Sequence, residues 1–237
     1  MINPDIQENI NIKTEQAHEC AAKALQLCEN YSRTQKPKYL KEMGGYFGTF
    51  VNNLRSAFNY ASVDYCTQRG FKKNRNKKNL STDFPYALTE ANFKRIELVS
   101  LMSQSDPNLY AFIEKMQPYH PKEKFLGNIM KLSNMDKHNI LVKPQEMNLN
   151  IVKILDEGYF EPRHFGSTVL VGVSNGEPVF VDTPCYVPQL RMFALPNGRW
   201  LNFMIPINGY FLEFIPFIRN GTNQARKILS DFYSLWN

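Results

Sequence analysis

The segment Phe47 to Cys66, FGTFVNNLRSAFNYASVDYC, restricts the fold more than any other stretch. Its apolar residues Phe47, Phe50, Val51, Leu54, Phe58, Ala61 and Tyr65 recur at i, i+3, i+4 and i+7, the spacing of a helix with one buried face. The same segment carries Asn52, Asn53, Arg55, Asn59 and Tyr60, groups that a plain core helix does not need. Arg55 and Asn59 are one turn apart, and Tyr60 lies on a neighbouring flank. A second polar cluster, Ser133 to Asn139 (SNMDKHN), ends another apolar run and is expected to close over the first.

The rest of the composition supports a folded core and narrows the partners. Of 237 residues, 43% are hydrophobic and 17 are Phe, so disorder is excluded as the general state. Lys and Arg number 28 against 22 Asp and Glu, a formal charge of +6. Five of those positive residues, Lys72, Lys73, Arg75, Lys77 and Lys78, fall in one loop-like run, KKNRNKK, so the basic excess is local. Cys20, Cys28, Cys66 and Cys185 form no C-x-x-C pair. The first two are roughly 12 Å apart along a helix rising ~1.5 Å per residue, too far for a disulfide. Scattered thiols suit a reducing compartment. With no signal-peptide layout at the N-terminus and no apolar run of ~20 residues, the expectation is a soluble, cytoplasmic chain without membrane contact.

Taken in order, residues 1 to about 11 read as a polar lead-in. Helices are expected from about Ile12 to Tyr31 and Tyr39 to Gln68, with Gly44-Gly45 marking a bend or close contact in the second. After the basic run, Asp83-Phe84-Pro85-Tyr86 reads as an extended piece inserting aromatics into the core. Three more helices follow, over Thr89 to Ser103, Asn108 to Met116 (with Asp106 as N-cap and Pro107 first in the helix), and Lys122 to His138. Beyond Pro144 the period shortens to that of strands: Met147–Leu155, Val169–Val173, Pro178–Val181, Leu190–Ala194 and Trp200–Ile205, with turn signals at Ser174-Asn175-Gly176 and Pro196-Asn197-Gly198. Helical periodicity returns from about Phe211 to Trp236, with Gly221 a weak point. The reading is α+β: a helical bundle over 1–144, then 145–237 as a small antiparallel β-rich lobe whose closing C-terminal helix packs back on the bundle.

Four pieces carry a resemblance: NNLRSAFNYA (52–61), DFP (83–85), IEKMQPY (113–119) and KLSNMDKHNIL (131–141). In this order they resemble an uncharacterised family of bacterial proteins with an N-L-R-S-A-L-D-H helix, an F-P piece, an L-Q-P-Y turn and an N-x-D-K-H segment before a β-rich tail. That helix is in turn similar to the one in HEPN domains, helical bundles common in bacterial toxin–antitoxin and antiphage systems. Many of those are metal-independent ribonucleases with an R-x-x-x-x-H motif, completed by dimerisation across the helix. The resemblance therefore implies a HEPN-like bundle, RNA as partner, and a homodimer or a protein partner from the same system. Arg55 matches the motif arginine, Ser56 follows it, and Tyr60 stands where the histidine would be.

Two readings fit the polar residues. In the catalytic one, Arg55 holds the scissile phosphate through paired hydrogen bonds, with Asn59 orienting. Tyr60, with an ordinary pKa of ~10, is a poor base at neutral pH. His138 therefore takes the acid/base role, oriented by Asp136. Asn53 and Asn134 belong to the same polar cluster. In the structural one, Arg55 pairs with Asp64 or Asp136 in a network joining helices, and Asn134 and Asp136 cap a helix end. Lys72, Lys73, Arg75, Lys77, Lys78 and Lys137 are the candidate nucleic-acid contacts, with Phe84 and Tyr86 as base-stacking groups; alternatively the run is a solvated loop. No cofactor is implied. Asp136, His138 and His120 have no metal-site spacing, and there is no G-x-S-x-G, cysteine–histidine pattern or phosphate loop.

Overall fold

A computed structural model describes residues 3–71, 81–120, 124–136, 143–147, 152–153, 159–160, 164–165, 168–174, 177–181, 185–187, 192–195, 200–207 and 210–236. The architecture is α+β. Seven helices among the described residues are α1 (Pro4–Thr34), α2 (Pro37–Gln68), α3 (Glu90–Lys94), α4 (Glu97–Ser105), α5 (Pro107–Lys115), α6 (Phe125–Asp136) and α7 (Phe214–Ser234). Among the described residues, ten strands lie between α6 and α7. The chain divides into two compact units, Met1–Cys20 with Gly48–Asn139 and Asn220–Asn237, and Ala21–Phe47 with Ile140–Arg219. Parts of α1, α2 and α7 belong to each.

In the first unit α2 is the central element. From Phe50 to Cys66 no residue is exposed. The apolar stripe predicted from sequence, Phe50, Val51, Leu54, Phe58, Ala61 and Tyr65, is buried as one face. An aromatic cluster covers its C-terminal end: the Tyr65 ring meets Trp236 at 5.3 Å and Phe232 at 6.3 Å, and Phe84 meets Phe58 at 5.2 Å. The extended piece thus inserts Phe84 into the core, while Tyr86 is half-buried.

Glycine makes α7 fit. A Cβ on Gly221 would lie 2.6 Å from Phe50 Cζ, and Phe50 is itself fully buried. Gly221 is therefore a place where α7 approaches α2 closely, inside a continuous helix, rather than a weak point. Gly127 on α6 plays the same part against Pro118, 2.9 Å from where its Cβ would stand. Gly45, by contrast, faces open space within an unbroken α2.

The second unit centres on β9 (Trp200–Ile207), whose Leu201, Phe203, Ile205 and Ile207 alternate into the core. It pairs antiparallel with β1 (Lys143–Met147), β8 (Met192–Ala194) and β10 (Tyr210–Glu213), and β8 pairs with β7 (Cys185–Val187). Pro144 is tolerated because β1 is an edge strand. Phe203 packs edge-to-face on Phe193 and on Tyr31 of α1, both at 5.9 Å. Phe47 packs on Phe214 at 5.1 Å. Two smaller sheets are β2 (Val152–Lys153) with β3 (Tyr159–Phe160), and β4 (His164–Phe165), β5 (Thr168–Ser174) and β6 (Glu177–Val181) in that order. Ser174 faces Glu177 across β5 and β6, in keeping with the turn expected between them; Asn175-Gly176 and Pro196–Gly198 lie outside the described residues.

Several boundaries differ from the sequence expectation. The supposed lead-in is helical from Pro4, because Asn3 Oδ1 accepts from the Asp5 N–H at 3.0 Å and proline occupies the first helical position. The helix expected over Thr89–Ser103 breaks at Ile96, whose backbone is extended. Phe93 and Leu98 are five residues apart, so one continuous helix could not turn both inward. Of the strand expected over Met147–Leu155, Met147 ends β1 and Val152–Lys153 form β2, while residues 148–151 and 154–155 lie outside the described residues. Residues 211–213, expected to open the last helix, belong instead to β10, set opposite Met204–Pro206.

Gly221→Val is expected to destabilise the protein by about 2 kcal/mol through overpacking. Gly45→Ala should stabilise it by about 0.5–1 kcal/mol from helix propensity alone. Denaturant unfolding of the two variants measures both effects.

Candidate functional site

Opposite its apolar face, α2 presents a second stripe at helical spacing: Asn52, Arg55, Ser56 and Asn59 at i, i+3, i+4 and i+7. All four are half-buried, so their polar groups need partners. The end of α6 supplies two of these. Arg55 Nη1 donates to Asn134 Oδ1, and Ser133 Oγ donates to Asn52 Oδ1 at 2.6 Å. The two clusters that sequence placed on separate helices thus meet.

Asn59 serves a different neighbour. Its Oδ1 accepts from the Phe84 N–H at 2.9 Å and its Nδ2 donates to Asp83 Oδ1 at 3.2 Å. Arg55 and Asn59 therefore hold different segments rather than each other. Ser62 adds a bond to the Asp83 carbonyl at 3.4 Å. Below this, Gln117 is fully buried, its Nε2 donating to the carbonyls of Ile113 (3.0 Å) and Pro85 (3.1 Å) and its Oε1 accepting from the Ala87 N–H (2.9 Å). The extended piece 83–87 is held at both ends by side-chain amides.

The other predicted site residues divide as follows. Asn53 is buried and Tyr60 half-buried, on the flank beside the stripe. Asp136 is the last residue of α6, and its side chain lies outside the described set, as do Lys137, His138, Lys72, Lys73, Arg75, Lys77 and Lys78. The described flanks of the basic run are fixed: Phe71 stacks on Tyr65 at 5.7 Å, and Asp83 is held by Asn59. His120 is drawn into a pair of its own, Nε2 2.8 Å from Glu114 Oε1.

An Arg55–Asp64 pair does not form. Asp64 is on the opposite side of α2, fully buried, where its Oδ1 accepts from Gln68 Nε2 at 2.8 Å. Asp106 occupies the N-cap position of α5 but makes no capping bond with its side chain. Its carboxylate instead accepts from Tyr65 OH at 2.7 Å and from Arg69 Nη2. Arg69 also donates to the Trp236 carbonyl at 3.3 Å, tying the end of α2 to the turn after α7. Burial, and then the adjoining Asp106 carboxylate, push the Tyr65 phenol well above its ordinary pKa. Burial, followed by the charge of Asp64, does the same to Tyr233. Burial raises the Cys66 thiol to about 11, so it is an inert core group rather than a nucleophile.

Sequence reading missed Gln117, Asp83 and Ser62 as partners. The polar spacing of Asn52, Arg55, Ser56 and Asn59 was the available signal that a second segment must cover this face. Among the described residues no helix is long and apolar enough to cross a membrane. No protein-family model, curated protein or solved structure matches the chain.

Gln117→Ala leaves the Pro85 carbonyl and the Ala87 N–H without their side-chain partner and should cost about 3 kcal/mol, whereas Asn134→Ala, at an exposed position, should cost under ~1 kcal/mol. Chemical denaturation distinguishes them. The folded Tyr65 and Tyr233 phenols keep their protons at a pH where unfolded ones lose them. Stability is therefore full below about pH 10 and falls as pH rises past it. Tyr65→Phe should flatten that alkaline fall, as read from unfolding free energy against pH.

Proposed function

We propose that this chain is a HEPN-like RNA-binding protein of a bacterial toxin or defence system, with a ribonuclease centre that works without metal. The observation that carries the reading is the hydrogen bond from Arg55 on α2 to Asn134 on α6. It sets the guanidinium beside the stretch that continues as Asp136-Lys137-His138. Four chain steps separate Asn134 from His138, a reach of at most ~14 Å. Arg55 has five N–H donors, of which the Asn134 contact takes one, and a planar fork of this kind suits a phosphate. In this scheme Asn134 orients Arg55 on the scissile phosphate. His138, oriented by Asp136, accepts the proton of the attacking hydroxyl and returns one to the leaving oxygen. In the same scheme the basic run Lys72–Lys78 follows the RNA backbone. A homodimer across the Phe50–Cys66 part of α2 would have to use the half-buried polar stripe, since the opposite face of that stretch is buried.

A non-catalytic sensor or scaffold is the second reading. It is favoured by the internal pairing of Asn52 with Ser133 and of Asn59 with the backbone at Phe84. An RNA cleavage and binding assay in the presence of a chelator, run beside Arg55→Ala and His138→Ala, separates the two. The expected outcome is cleavage that drops about 100-fold or more in each variant, with melting temperatures near that of the parent. Salt-sensitive binding without cleavage would leave an RNA-binding module. Neither activity, with both variants melting early, would leave the scaffold.

A further inference from the structure

A cleft of about 330 Å³ opens within the first unit between α5, the start of α6 and α7. Phe112, Met116, Phe125 and Ile228 form its apolar wall, and Lys115, Lys227 and Asp231 stand at the rim. Phe112, Phe125 and Ile228 are only half-buried, so the fold leaves apolar surface uncovered there. The volume falls in the range of small-molecule sites, ~300–1,000 Å³. The rim has two ammonium groups against one carboxylate, a net charge that matches one anionic group. Lys227 Nζ lies 2.6 Å from Asp231 Oδ2 in an exposed pair one turn apart. Such a pair contributes little, and an ammonium has three N–H donors, so Lys227 retains capacity for a second acceptor.

We infer that this cleft binds a small amphipathic monocarboxylate, its hydrocarbon part against Phe112, Met116, Phe125 and Ile228 and its carboxylate between Lys115 and Lys227. The inference is independent of the RNA reading, because none of these residues belongs to the Arg55 cluster. A neutral ligand of the same shape fills the apolar wall but gains nothing from the rim. The acid is therefore the preferred occupant.

The test uses octanoate as probe and octanamide as its neutral counterpart, titrated calorimetrically into the full chain. Octanoate should bind saturably at one site, about tenfold or more tighter than octanamide. In Lys115→Glu/Lys227→Glu, two exposed positions, that preference should disappear. Ile228→Trp, which fills the cleft, should abolish binding of both. The Met116 methyl resonance of the unsubstituted protein should move on titration, a readout independent of whether Ile228→Trp folds. No saturable octanoate binding, equal affinity for octanoate and octanamide, or a Met116 methyl that stays put would each overturn the assignment.

Discussion

The enclosure of α2 from Phe50 to Cys66, where no residue is exposed, is the constraint from which the first unit follows. A stretch buried on one face and half-buried on the other needs partners for its polar side chains, since a buried polar group without one costs about 1–3 kcal/mol. Four polar positions on this stretch accordingly meet a neighbour. Asn52 takes Ser133, Arg55 takes Asn134, Asn59 takes the Asp83–Phe84 step, and Asp64 takes Gln68. Satisfying α2 thereby sets where α6 ends and where the extended piece crosses. Gln117 repeats the logic one layer out, and Gly221 and Gly127 allow the backbones to approach closely enough for it.

The same contacts that build the unit leave one charged group, Arg55, on the half-buried stripe. A stripe used for stability alone would be served by neutral side chains of fixed geometry, such as Asn59 with the backbone at Phe84. Arg55 differs from these. It is half-buried and charged, and it is positioned by an exposed residue, Asn134, at the mouth of the α2–α6 contact. Desolvating a guanidinium partly and then bonding it through one edge is a poor route to stability, but a suitable way to aim it. Tyr65, Arg69 and Asp106 form the contrasting case: a raised phenol, a half-buried carboxylate and an arginine set over aromatic rings, joined to the Trp236 carbonyl as a structural tie.

Much of this could be read from the residues, and the exceptions have identifiable causes. The i, i+3, i+4, i+7 pattern of Phe50, Val51, Leu54 and Phe58 located the buried face because burial and helical period are linked locally. The strand runs Val169–Val173 and Trp200–Ile205 are visible for the same reason, through β-rich composition and flanking turn residues, and lie within β5 and β9. The start of α1 was misjudged although its signal, Asn3 before Pro4, is local; its polar first turns hid the periodicity, with Ile10 the earliest buried residue. Residues 210–213 continue the apolar character of α7 and belong to β10 only because β9 offers them a partner, which no local pattern announces.

Sequence by itself determined the α+β class, the buried face of α2 and the set of polar groups displayed on the face opposite. Those follow from side-chain period and composition, which act between residues a few positions apart. Tertiary structure decided which polar group meets which: Arg55 with Asn134 rather than Asp64, Asn59 with Phe84 rather than Arg55, Asp106 with Tyr65 and Arg69 rather than its own helix end. Side-chain hydrogen bonds depend on distances of ~3 Å between segments separated by tens of residues. Spacing along the chain carries no record of those distances until packing has brought the segments together.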